Sequence, residues 1–126
     1  MGSLKPLRWM ASSKPDLSAM PFEVRRDVGY ALFAAQQGDK HADAKVLKGF
    51  GGAGVLEVVA RHDGETYRAV YTVRYAAAVY VLHAFQKKSK RGIATPKTDL
   101  DLIETRLKAA AADYKRWIET TTGNQP

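Results

Sequence analysis

The 126-residue chain contains no cysteine. That excludes a disulfide framework, a thiolate metal site and a cysteine nucleophile, and it is compatible with a reducing compartment. No apolar run approaches the roughly 18 residues of a membrane span. The N-terminus lacks the long apolar core of a signal peptide. The expectation is a cytoplasmic protein with no membrane contact. Internal repeats and low-complexity tracts are absent. The glycines at 49, 51, 52 and 54 lack the Gly-Lys-Ser/Thr ending of a Walker loop, and they lead into a strand rather than a helix. The three histidines, His41, His62 and His83, show no metal-ligand spacing. Neither a metal nor a cofactor is expected, and no nucleophile elbow is present.

Acidic residues are the scarce charge: 13 Asp and Glu against 20 Lys and Arg, a net charge of +7. Such an excess favours phosphates or an acidic protein partner. Hydrophobic residues at 45% and charged residues at 26% fit an ordinary folded chain, and the length fits one domain spanning residues 1–126.

Alternation of Leu7, Trp9 and Ala11 against Arg8, Met10 and Ser12 predicts a first strand. Ser12, Ser13 and Pro15 then supply helix-start chemistry. Met20 before Pro21 marks a break, after which Val24, Val28, Leu32, Ala31 and Ala35 form a helical stripe that Gly38 ends. Residues 39–54 read as a loop carrying Lys40, Lys45 and Lys48. Three strands follow, at Val55–Arg61, Thr66–Tyr75 and Val79–Phe85, the last apolar on both faces and so interior to a sheet. Asp63-Gly64 joins the first two as a hairpin. Thr95 and Pro96 read as the N-cap and first turn of a long helix, whose face carries Leu100, Ile103, Leu107, Ala110, Ala111, Tyr114 and Trp117 or Ile118. Residues 120–126 read as a frayed tail. The fold class is therefore α+β: a small, mostly antiparallel sheet with N-terminal helices and a long C-terminal helix packed on one side.

A two-residue hairpin loop fixes the register. Leu56, Val58, Ala60, Tyr67, Ala69 and Tyr71 then share one face, which is expected to lie under the helices. Glu57, Val59, Arg61, Arg68, Val70, Thr72 and Arg74 share the other, turned away from the long helices. Three arginines and a carboxylate on one face make either a solvated surface or an anion-binding one, since the guanidinium fork matches phosphate. Four of the six residues Gln86–Arg91 are cationic, and no acidic residue falls between Gln86 and Thr98. His83, in an otherwise apolar strand, is either a packed, hydrogen-bonded residue or a general acid or base.

The segment Val79-Tyr-Val-Leu-His-Ala-Phe-Gln-Lys-Lys-Ser-Lys-Arg-Gly-Ile-Ala-Thr-Pro-Lys resembles the RelE/HigB-like superfamily, most closely its phage-related branch. Lys45-Val-Leu-Lys-Gly-Phe, Leu56-Glu-Val-Val-Ala-Arg and Tyr67-Arg-Ala-Val-Tyr occur in that family's order, so the resemblance covers roughly residues 45–108. It implies a RelE/ParE-like fold and a type II toxin, an endoribonuclease that cuts messenger RNA on the ribosome and arrests translation. It also implies a cognate antitoxin, commonly with a helix-turn-helix DNA-binding domain. Arg68 matches the family arginine near the scissile phosphate, Arg61 matches the arginine ending the preceding strand, and Lys88 stands where RelE has an arginine. Glu57 and Val59 replace two strand lysines, and RelE's late catalytic tyrosine has no equivalent.

The candidate catalytic residues are thus Arg61, Arg68, Lys88, His83 and Glu57. Lys48, Arg74, Lys87, Lys90 and Arg91 are candidate RNA or phosphate contacts. Loss of Arg68 is expected to impair cleavage while sparing the fold. Two alternatives remain open: a ParE-like toxin that inhibits DNA gyrase, and a phage-derived protein that binds nucleic acid without cutting it.

Overall fold

The computed structural model describes residues 4–52, 54–87 and 95–123. In chain order it contains β1 (Leu7–Trp9), α1 (Ser13–Ser18), α2 (Phe22–Gln36), β2 (Ala44–Val46), β3 (Val55–His62), β4 (Glu65–Thr72), β5 (Val79–Lys87) and α3 (Lys97–Gly123). The strands form one sheet in the order β1-β5-β4-β3-β2, antiparallel except where β1 runs parallel to β5. Among the described residues, no helix is long and apolar enough to cross a membrane.

Asp63 and Gly64 both take left-handed angles, φ 51° and 77°, as a two-residue type I′ loop requires. The register that follows is the one the dipeptide predicts, with Arg61 opposite Thr66 and Val59 opposite Arg68. Leu56, Val58, Ala60, Ala69 and Tyr71 join one apolar cluster with Leu17 of α1 and Val24, Val28, Ala31, Leu32 and Ala35 of α2. Small residues on the inner side of α2 let it lie close to the strands.

Three expectations need correction. Residues 39–54 are not wholly loop. Within them, Ala44–Val46 pairs with β3, Lys45 standing opposite Glu57. The run is too short to alternate visibly, and it becomes a strand only because β3 offers an edge. Nor do the helices share one side. Val55, Val70, Tyr80 and Leu82 present a second apolar patch on the opposite face, and α3 covers it with Ile103, Ala110, Leu107, Tyr114 and Trp117. A strand as apolar as β5 needs cover on both faces, and the charged residues nearby hid that need. Residues 120–123, expected to fray, belong to α3, which runs to Gly123.

A bulge refines the second face. Val70 pairs with His83 but Tyr71 pairs with Val81, which leaves Leu82 between them. The extra residue lets both Leu82 and His83 meet α3. At the far end of that helix, Asp113 accepts from Tyr80 Oη at 2.6 Å and from Arg8 Nε at 2.8 Å. Arg8 also lies 5.0 Å from the centre of the Trp117 ring. This clamp ties β1, β5 and α3 together. The Arg8 hydrogen bond holds the Asp113 carboxyl below the usual carboxylate range, and burial first, with the Asp113 hydrogen bond second, pushes the Tyr80 hydroxyl up.

Ile103, on the inner side of α3, is fully buried. Ile103→Ala should cost about 2–5 kcal/mol in urea unfolding. The clamp has its own pH signature. A carboxylate whose folded pKa is depressed adds stability above its unfolded pKa and loses it as pH falls through the folded one. Asp113→Asn should therefore cost about 1–2 kcal/mol near neutrality. The gap to the parent chain should close progressively as the pH drops below about 4. A gap independent of pH would show that the charge on Asp113 contributes nothing.

Candidate nucleic-acid interface

The face of the sheet that α3 partly covers carries side chains in rows set by the register. Lys45, Glu57, Val70 and His83 form one row across β2, β3, β4 and β5. Val59, Arg68 and Phe85 form the next, and Arg61, Thr66 and Lys87 the third. Neighbouring strands lie about 4.8 Å apart, so residues adjacent in a row are within side-chain reach.

Arg68 and Glu57 are buried, and Arg68 Nη1 donates to Glu57 Oε1 at 2.7 Å. The other carboxylate oxygen, Oε2, accepts from the Thr95 hydroxyl at 2.8 Å. Thr95 is thus not the N-cap that sequence predicts. The first helical bond of α3 runs from the Leu100 N–H to the Pro96 carbonyl, which puts Pro96 at the cap position and Thr95 one residue ahead of it.

His83 is buried as well, with its ring stacked 4.5 Å from that of Phe85. Its Nε2 lies 2.8 Å from Asp99 Oδ1 and its Nδ1 lies 3.0 Å from Arg106 Nη1. A guanidinium only donates, so Nδ1 accepts and Nε2 carries the proton shared with Asp99. Arg106 also donates to the Leu82 carbonyl at 3.0 Å. The packed, hydrogen-bonded reading of His83 therefore describes this arrangement, in which both ring nitrogens are engaged.

A cleft of about 390 Å³ opens beside the ion pair, lined by Asp43, Lys45, Val59 and Arg61 together with Glu57 and Arg68. Lys45 and Arg61 are exposed there while Arg68 forms the inner wall. Three cations against two carboxylates around an open recess suit an anion with several oxygens, as a backbone phosphate has. Among the described residues, no three His, Asp or Glu side chains gather as ligands for a metal ion.

A family model described as phage-derived protein Gp49-like (DUF891) matches residues 15–108. The chain belongs to this family. No curated protein matches the chain at a significant level. The Gp49-like match contains the whole cleft and the His83 network. It leaves out Arg8 and Asp113, so of the clamp at the far end of α3 only Tyr80 falls within the matched region.

The expected site residues separate into groups. Glu57, Arg61 and Arg68 meet at the cleft. His83 shares their face but is held by α3. Lys87 is not a loop residue: it ends β5, buried and opposite Thr66. Lys48 is exposed in the turn after β2, and Arg74 is exposed just beyond the end of β4. Lys88, Lys90 and Arg91 lie outside the described residues. Arg61 and Arg68 share a face as expected, but it is the face that α3 packs on, not one turned away from the helices. Lys45, Thr95, Asp99 and Arg106 were missed. The signal for Lys45 was its place between Ala44 and Val46; the other three are visible only once α3 is laid across β5.

The expectation that Arg68 can be removed without harm to the fold is also corrected. Truncating one member of a buried ion pair leaves the other charge stranded, at a cost of about 3–5 kcal/mol. Arg68→Ala should lower stability by that amount in urea unfolding, and Arg68→Met combined with Glu57→Leu should recover most of it. Parent-like stability of Arg68→Ala alone would show that the pair contributes little.

Proposed function

We propose that this Gp49-like protein is the toxin of a type II toxin–antitoxin pair and cuts messenger RNA on the translating ribosome, in the cytoplasm. The observation that carries the reading is the cleft where Lys45, Arg61 and Arg68 converge in a chain of net charge +7. Membership of a phage-derived family and the RelE/HigB resemblance of residues 45–108 supply the toxin context. Its partner would be a neighbouring antitoxin, typically with a helix-turn-helix domain.

In this reading, Arg61 and Lys45 hold the scissile phosphate from two sides while the adjacent ribose 2′-hydroxyl bonds to phosphorus and the bond to the leaving 5′ oxygen breaks. Arg68 supplies donors from the inner wall, and they strengthen as charge builds at phosphorus. Lys88, just after β5 in sequence, can stabilise the same charge or protonate the leaving oxygen. Glu57 and His83 remain the side chains able to move a proton, but each would have to give up a bond it makes now. That engagement favours a second reading, in which the protein blocks DNA gyrase by binding alone, as ParE-like toxins do.

Expression without the antitoxin should stop translation, and primer extension on messenger RNA from an in vitro translation reaction should show new 5′ ends. Arg61→Ala, altering an exposed side chain, should reduce cleavage on the order of 10²-fold with the urea midpoint unchanged. Full-rate cleavage by both Arg61→Ala and Lys45→Ala would remove the cleft from the mechanism. Continued translation with inhibited supercoiling would decide for gyrase.

A further inference from the structure

Six large hydrophobic residues are exposed among the described residues, and three of them sit on the outer side of α2: Phe22 at 63%, Tyr30 at 58% and Phe33 at 47%. The helix has no shortage of apolar residues on its inner side, where Val24, Val28 and Ala31 are fully buried. The outer aromatics are therefore not needed for the core.

Their spacing is specific. Phe22 and Phe33 are eleven residues apart, about three turns, so they lie along one line, with Tyr30 one turn before Phe33. Gly29 lies on the same line, and a Cβ built there would meet nothing within 4 Å. The surface is thus a bare backbone patch between aromatic rings, about 16 Å long, a shape that receives a side chain from a second helix. Arg25 flanks it, its guanidinium 5.7 Å from the centre of the Phe22 ring, and Arg26 sits beside it, its Nε 3.4 Å from the exposed Asp27 carboxylate, which a partner's carboxylate would join or displace. Aromatic residues with arginine are the composition enriched in protein interfaces.

We infer that the outer face of α2 is a docking surface for an amphipathic, acidic helix of a partner chain. A helix three or four turns long would lay apolar residues at i, i+4 and i+7 over Gly29 and the rings, with carboxylates towards Arg25 and Arg26. The charge of the chain selects an acidic partner over a second copy of itself, because two copies would each bring +7. The inference is independent of what the cleft does, since α2 covers the opposite face of the sheet.

The test uses the full chain and three synthetic helical peptides of about 14 residues, four turns. One carries leucines on one face and glutamates elsewhere, the second has lysines for the glutamates, and the third is a scramble of the first. Amide chemical shifts should move along α2 with the first peptide only. Phe22→Ala, Tyr30→Ala and Phe33→Ala together should weaken its binding by about tenfold or more. Their thermal unfolding should match the parent, as the side chains are exposed. Equal binding of the scramble would reduce the effect to bulk charge and overturn the inference. So would equal binding of the lysine peptide, or shifts confined to other elements. A chain that is dimeric by light scattering, and monomeric with Phe33→Glu, would assign the face to a second copy instead.

Discussion

Two opposite charges sit beneath the start of α3, and much of that side of the molecule follows from how they are satisfied. Removing a carboxylate and a guanidinium from water costs several kcal/mol each, and their attraction offsets this only when further hydrogen bonds complete the set. Arg68 meets Glu57 at 2.7 Å, and Thr95 donates to the remaining carboxylate oxygen at 2.8 Å. Once Thr95 is drawn to the sheet, the helix must begin directly after it. Pro96 suits that place because it has no N–H to leave unpaired. Asp99 then falls in the first turn, where the helix dipole favours a carboxylate and where His83 can reach it. One ion pair thereby fixes where the helix starts, and the helix in turn fixes the histidine.

The two faces of the sheet are held by different forces. Beneath α1 and α2 the contacts are apolar, and such packing responds little to salt or pH. Beneath α3 only Ile103 and Ala110 of the described side chains on a 27-residue helix are buried. Leu107, Tyr114 and Trp117 add partly buried apolar contact, and the rest of the attachment is directional: Arg8 and Tyr80 to Asp113, His83 to Asp99, and Arg106 to the Leu82 carbonyl. A helix held by a few polar clasps opens more readily than one sealed by apolar area. The candidate phosphate cleft is on the side of the sheet with the weaker cover.

Legibility in the sequence tracked how local each determinant was. Asp63-Gly64 specified its hairpin and, through it, the face shared by Arg61 and Arg68, because a two-residue loop leaves one register. The stripe of α2 was readable for the same reason, its period lying within one segment. The partner of Arg68 was not: Glu57 stood on the same predicted face, yet nothing in the spacing distinguished a solvated carboxylate from one locked in a pair. The side of the sheet taken by α3 was missed because Val55, Val70, Tyr80 and Leu82 form a patch only after three strands align. The bulge at Leu82 breaks the strict alternation on which any such reading relies. Lys45 was hidden by the brevity of β2, a strand that exists through its neighbour rather than through its own propensity.

The sheet also separates two surfaces that a simpler fold would have merged. The aromatic outer side of α2 and the cationic cleft are divided by the thickness of a helix and a sheet, about 15–20 Å, roughly two screening lengths at physiological salt. Charge brought to α2 therefore does little, through solvent, to the attraction that the cleft exerts on a polyanion. A partner seated on α2 would leave the cleft open unless more of its chain passed around the sheet. The short way round is the edge strand β2, where Val46 is 65% exposed and Val46 and Lys45 both line the cleft. An edge strand of three residues offers few backbone groups for pairing, so a chain crossing there would be held mainly by side chains. Closing the cleft is in this geometry a matter of physical cover at the β2 edge, separate from affinity at α2.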